Sequence, residues 1–317
     1  MKRLLAFLFL ALAAAAARSA EVRIVQPPPD RPPAAPIPQP DVTIEVTLQQ
    51  LFLTVDHHGR PVPGLTRDDF TVYDDDAPQP IVTFGRGDVP FSTVLLVDTS
   101  ASMAGPSLEK ALEGARAFFS GLAPLDQGKL ILFSDHVRLE TPFTSVKSVL
   151  TLGLSGVPAE GGTALNDALY LAVKRLEPLR GRKIAVLLSD GVDIESVLSI
   201  SEASALSRGQ VTLYWLRLGK GFDSRISMSS AWRDGPEHAR EIEQLTAAVA
   251  ESGGRILDLS SAEEIPATFS ALLKELRDQY VLGITPRQTS GKGAWHEVRV
   301  EAKGGVRART QSGYFEP

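Results

Sequence analysis

The chain has 317 residues, 43% of them apolar and 22% charged, which is enough to bury one large or two ordinary cores. Its net charge of −5 and lack of a basic stripe argue against a nucleic-acid footprint. The absence of cysteine excludes disulfides, thiolate metal sites and a cysteine nucleophile.

Lys2 and Arg3 precede an apolar run from Leu4 to Ala17. That length suits a signal-peptide core and falls short of a membrane span. The expectation is a signal peptide over 1–17, cut after Ala17 with Ala15 as the second small residue. The mature chain would then be secreted or periplasmic, with no integral membrane span. Pro27, Pro28, Pro29, Pro32, Pro33, Pro36, Pro38 and Pro40 crowd the next stretch. So dense a tract can neither join a sheet nor sustain a helix, and 18–41 reads as an extended linker.

From 42 to 90 the pattern is that of strands. Val42, Ile44, Val46 and Leu48 alternate with polar residues, Leu51 to Val55 follow, and Phe70–Tyr73 and Ile81–Phe84 repeat the pattern between Gly and Pro turns. The carboxyl end, 279–317, supplies Tyr280–Ile284, His296–Glu301 and Val306–Arg309. The two ends are expected to build one small β-sandwich-like domain around an inserted middle.

The middle, 91–278, alternates strand and helix, which predicts a doubly wound, mostly parallel α/β sheet. Strands are expected at Val94–Val97, Lys129–Phe133, Ile184–Leu188, Val211–Leu218 and Arg255–Leu257, with a short antiparallel edge strand at Val137–Glu140. Helices are expected over 108–122, 164–176, 196–206, 237–250 and 263–277. Residues 219–235 show no period and read as a long loop.

Three motifs converge on the carboxyl edge of that sheet, where open α/β sheets bind ligands. They are Asp98-Thr99-Ser100-Ala101-Ser102, Gly161-Gly162-Thr163 and Ser189-Asp190-Gly191. Ser100 and Ser102 are two apart in a loop, so both hydroxyls can turn to one point. Thr163 arrives on a glycine-rich loop from another side. Asp98 and Asp190 supply negative charge directly or through water. An all-oxygen set of this kind suits a hard cation, Mg²⁺ foremost, with Mn²⁺ or Ca²⁺ as alternatives.

These residues closely resemble the metal-ion-dependent adhesion site of von Willebrand factor A (VWFA) domains, whose pattern is D-x-S-x-S, then T, then D. The resemblance covers about residues 91 to 278 and implies a Rossmann-like fold. It implies Ser100 and Ser102 as direct ligands and Thr163 as a direct or water-mediated one. Asp98 and Asp190 would hold waters or bind in one state, and a partner protein's Asp or Glu carboxylate would complete the sphere. The flanks also resemble exported bacterial VWFA-related proteins: Val62-Pro63-Gly64-Leu65, Asp69-Phe70-Thr71-Val72, Tyr280-Val281-Leu282-Gly283 and Gly313-Tyr314. Asp76 departs from that pattern, which places glycine in the turn.

The function this predicts is metal-dependent protein binding without catalysis. An envelope scaffold in which the metal only stabilises the fold is the alternative, and a metal-assisted hydrolase is a third. G-x-S-x-G is absent around Ser100 and Ser102, which weighs against the third. Asp74-Asp75-Asp76 lacks the glycine and distal glutamate of a calcium loop and reads as a solvated turn. His57 and His58 should point to opposite faces of a strand end, and His136, His238 and His296 are scattered. Asp167 reads as an acid at a helix amino end, and Asp193 and Glu195 as solvated loop acids. Arg86-Gly87-Asp88 reads as a hinge.

Overall fold

A computed structural model of the chain describes residues 48–87, 89–190, 193–205, 208–219, 235–287 and 293–316. The expected signal peptide, the proline-rich linker, Val42, Ile44, Val46, Asp88, Gly191 and most of the 219–235 loop lie outside the described residues. No helix among the described residues is long and apolar enough to cross a membrane.

The amino-terminal strands are β1 (Gln49–His57), β2 (Arg60–Pro61), β3 (Phe70–Asp74), β4 (Ala77–Gln79) and β5 (Ile81–Arg86). Along β1, Leu51, Leu53 and Val55 are buried and alternate with partly exposed residues, the period expected of a strand with one face inward. His58 adopts φ 52° in the β1–β2 turn, so its ring centroid lies 4.3 Å from that of His57. The turn geometry therefore overrides the strand alternation that would have placed the two rings on opposite faces.

The middle follows as β6 (Phe91–Asp98), α1 (Pro106–Ser120), β7 (Gln127–Phe133), β8 (Val137–Glu140), α2 (Lys147–Thr151), α3 (Leu165–Leu176), β9 (Arg182–Ser189), α4 (Ile200–Ala205), β10 (Thr212–Leu218), α5 (Gly235–Glu251), β11 (Ile256–Leu259) and α6 (Ile265–Asp278). The six strands form one sheet in the order β11-β10-β9-β6-β7-β8. It is parallel except where β8 pairs antiparallel with β7. Strand β6 shows why: Leu95 and Val97 enter the core beneath α1 and α6, while Val94 and Leu96 enter the core beneath α3, α4 and α5. A strand apolar on both faces is stable only when helices cover both. The short α2, with no apolar period of its own, was not foreseen.

After α6 come β12 (Tyr280–Ile284), β13 (Trp295–Ala302), β14 (Arg307–Arg309) and β15 (Gly313–Phe315). These pair with strands from the other end of the chain. One sheet runs β14-β1-β12-β5 with β2 on β1, and the other runs β15-β13-β3-β4. Leu51, Leu53, Tyr280 and Leu282 from the first sheet meet Phe70, Val72, Val298 and Tyr314 from the second in one hydrophobic cluster.

A buried arginine joins these layers to the middle, and a buried aspartate pins two elements within it. Arg182, 5% exposed, donates to Leu276 O at 2.8 Å and to Gln279 Oε1, with its guanidinium 4.9 Å from the centre of the Phe52 ring. Burial lowers its pKa to about 10. Asp126, fully buried, accepts from the amides of Phe91 and Ala123 and pairs with Arg277.

Candidate metal centre

Strand β6 lies between β7 and β9, and the chain leaves it by a helix on one face and returns to β9 by a helix on the other. That reversal opens a crevice at the carboxyl ends of β6 and β9. Their register sets Val97 opposite Leu188, so Asp98 and Ser189 end the two strands side by side. Ser189 Oγ donates to Asp98 Oδ2 at 2.7 Å, and the Ser100 amide donates to Asp98 Oδ1 at 2.8 Å.

Past Asp98 the backbone makes a short 3₁₀ turn over Ala101–Met103, which holds the Ser100 and Ser102 hydroxyls 3.0 Å apart. The third segment is stitched to this loop at two points: Ala101 N donates to Gly161 O at 3.0 Å and Glu160 N donates to Thr99 O at 3.0 Å. Gly161 holds φ 82°, a conformation that favours glycine. At Gly162 a Cβ would come within 2.5 Å of the exposed Glu195 side chain, which would have to swing aside to admit it. Thr163 is buried, and its carbonyl accepts from the amides of Ile194 and Glu195 at 2.9 and 3.1 Å. The three segments that carry Asp98, Ser100, Ser102, Thr163 and Asp190 thus meet at one edge.

The donor set is entirely oxygen, and its electrostatics favour a cation. Asp98 is fully buried, and burial, then the charge of nearby Asp190, push its carboxyl up to about 7 against the hydrogen bonds from Ser100 and Ser189. Two acids so placed concentrate negative charge in a region of poor solvation, which a hard divalent ion relieves. The residues present fit a hard divalent cation.

Several supporting residues were misread or missed. Asp193 is buried rather than solvated; its carboxylate accepts from Asn166 N at 2.8 Å and Ser196 N at 3.1 Å, capping α3 from another loop. Asp167 receives the amides of Val197 and Leu198, so it secures the loop after β9 as well as sitting in the first turn of α3. Ser189, whose hydroxyl braces Asp98, was passed over. Its place one residue before Asp190 at a strand end was the available signal.

The family model described as von Willebrand factor type A domain matches residues 93–192, from within β6 to just past the end of β9. The chain carries a von Willebrand factor type A domain. Inter-alpha-trypsin inhibitor heavy chain H4 of Bos taurus is 30% identical over 152 residues, which is 43% of this chain and 16% of the relative. The human protein of that name is 29% identical over 120 residues, 34% of this chain and 13% of the relative. The chain thus matches only a small part of either relative's length. Among solved structures, a von Willebrand factor type A protein from Catenulispora acidiphila is similar with TM-score 0.49 and 14% identity, over 78% of this chain and 72% of that one. In this A domain the matched segment contains all five candidate ligands.

Proposed function

We propose that the protein is an exported binding module that captures a carboxylate of a partner protein through a divalent cation held at the A-domain edge. The observation that carries this reading is the pair of serine hydroxyls 3.0 Å apart beside the buried Asp98, whose carboxyl is repelled by the charge of the partly exposed Asp190. Ser100, Ser102 and Thr163 would hold the ion through neutral oxygens, with Asp98 and Asp190 acting directly or through water. Mostly neutral donors leave a cation electrophilic, and that is the chemistry the ion supplies: affinity for one more acid from outside. The chain's own residues do the rest. Ser189 and the Ser100 amide orient Asp98, while Asp193 and Asp167 keep the loops around Thr163 and Asp190 in place. Lys2, Arg3 and the apolar run to Ala17 support export.

Calorimetric titration with MgCl₂ tests the reading. Wild type should bind, and Ser100→Ala and Asp190→Ala should not. Equal heats from all three chains would overturn it. Cross-linking of the full chain in its native extract, with and without EDTA, separates capture from scaffolding: chelator releases the partner only if the ion makes the contact.

A further inference from the structure

A second cluster of metal-type donors lies in the β layers. The turn between β3 and β4 consists of Asp75 and Asp76 at φ 48° and 61°, closed by the pairing of Asp74 with Ala77. Both central residues are left-handed, as the mirror-image hairpin turn requires. Asp75 clasps the neighbouring strand β13: its amide donates to Glu297 O at 2.9 Å, and its Oδ1 accepts from Glu297 N at 2.9 Å. This places Asp75 Oδ2 2.7 Å and Asp74 Oδ1 3.6 Å from Nδ1 of His296. On the far side of the ring, Nε2 faces Glu316 Oε2 at 3.4 Å. Asp74 was expected in a solvated turn, and the structure instead buries it completely, with His296 only 1% exposed.

Carboxylates only accept, so a ring nitrogen facing one must carry a proton or share a cation. In the tautomer that carries its proton on Nε2, that nitrogen donates to Glu316 Oε2. Nδ1 is then the nitrogen turned to the two aspartates, the relation that orients histidines toward metals. A proton on Nδ1 would serve Asp75 alone. Asp74 Oδ1 would remain what it is in this structure, a buried carboxylate oxygen with no hydrogen-bond partner, while Oδ2 of the same group accepts from Tyr314 at 2.6 Å. An ion among the three donors, which all lie within 4.8 Å of one another, would satisfy every one of them. The charge around it agrees: Asp74, Asp75 and Glu316 surround the ring, and Arg287 is directed to a backbone carbonyl, donating to Asp74 O at 3.2 Å. Asp75, with its side chain 40% exposed, leaves the cluster open to water for the remaining coordination position.

We infer that Asp74, Asp75 and His296 form a binding site for a zinc-type divalent ion, distinct from the oxygen constellation at the A-domain edge. An imidazole nitrogen with two carboxylates is a donor set for zinc and its neighbours and a poor one for magnesium or calcium. Bound there, the ion would tie the β3–β4 turn to a strand from the other end of the chain.

The test uses the full chain, stripped with chelator and titrated with ZnCl₂ against a chromophoric zinc indicator. Ser100→Ala serves as the background, so that ions held at the A-domain edge do not contribute. That background should bind one zinc ion. Adding Asp75→Asn or His296→Gln should weaken the binding by at least about tenfold, with the circular dichroism spectrum unchanged. Asp75→Asn lies in a turn open to solvent, so it remains informative if His296→Gln fails to fold. Zinc should also raise the melting temperature of the background chain, where magnesium at the same concentration does not. No zinc bound by the background chain, or undiminished binding in the Asp75→Asn chain, would overturn the assignment.

Discussion

Glu140 shows how one side chain can tune stability with pH. Its Oε1 accepts from Lys129 Nζ at 2.6 Å and from Arg175 Nε at 2.7 Å, and its side chain is 24% exposed. The hydrogen bonds from Arg175, against an opposing burial effect and aided by Lys129, hold its pKa at about 2 rather than the ordinary 4.5. Because the folded value is depressed, the stabilisation is complete above the unfolded value of 4.5 and is lost as pH falls toward 2. A difference of that size corresponds to at most about 3 kcal/mol. Glu140→Gln should therefore lower stability at neutral pH by about 2–3 kcal/mol and flatten the stability curve between pH 4.5 and 2, read by urea unfolding across that range. Parallel curves for the two chains would refute this. At this scale the sequence was readable where a role is local. Asp98, Ser100 and Ser102 stand in one five-residue motif, whereas Ser189, 91 residues from the Asp98 it braces, could not be paired with it by spacing.

Helices α1 and α6 pack face to face, and Gly114 sits at one of their close approaches. A Cβ at Gly114 would lie 2.5 Å from Phe269 Cδ2 and 3.1 Å from Ile265 Cγ2. Replacing a mid-helix glycine with alanine normally gains up to about 1 kcal/mol of helix propensity. Forcing a methyl group into a filled core costs about 1–3 kcal/mol. Packing wins, so Gly114→Ala should lose about 1 kcal/mol in equilibrium unfolding; a more stable variant would show that α6 moves aside freely. The same contrast explains which elements were legible. Long runs such as β6 and β9 announce themselves because every residue between two helix layers must be apolar. Strands β4 and β15, three residues each, have no period and exist because β3 and β13 offer them a ladder.

For the whole molecule, metal binding should appear as stability. If the A-domain edge holds Mg²⁺, raising the free ion to 100 times its dissociation constant adds about 2.7 kcal/mol. For a domain of this size that amounts to a rise of about 5–10 °C in melting temperature, which EDTA should remove and Ser100→Ala should abolish. A wild-type melting curve indifferent to Mg²⁺ and EDTA would contradict the proposed site. The amino-acid sequence by itself determined the alternation of strand and helix, the doubly wound middle and the strand-end position of Asp98 and Asp190, because hydrophobic period and motif spacing are properties of neighbouring residues. Only the tertiary structure decided that β1 pairs with β12, that Asp193 caps a helix from another loop, and that Asp74 is buried against His296 and Tyr314. Those outcomes depend on which distant segments share a core: Tyr314 reaches Asp74 across 240 residues of chain, and no local pattern records such a contact.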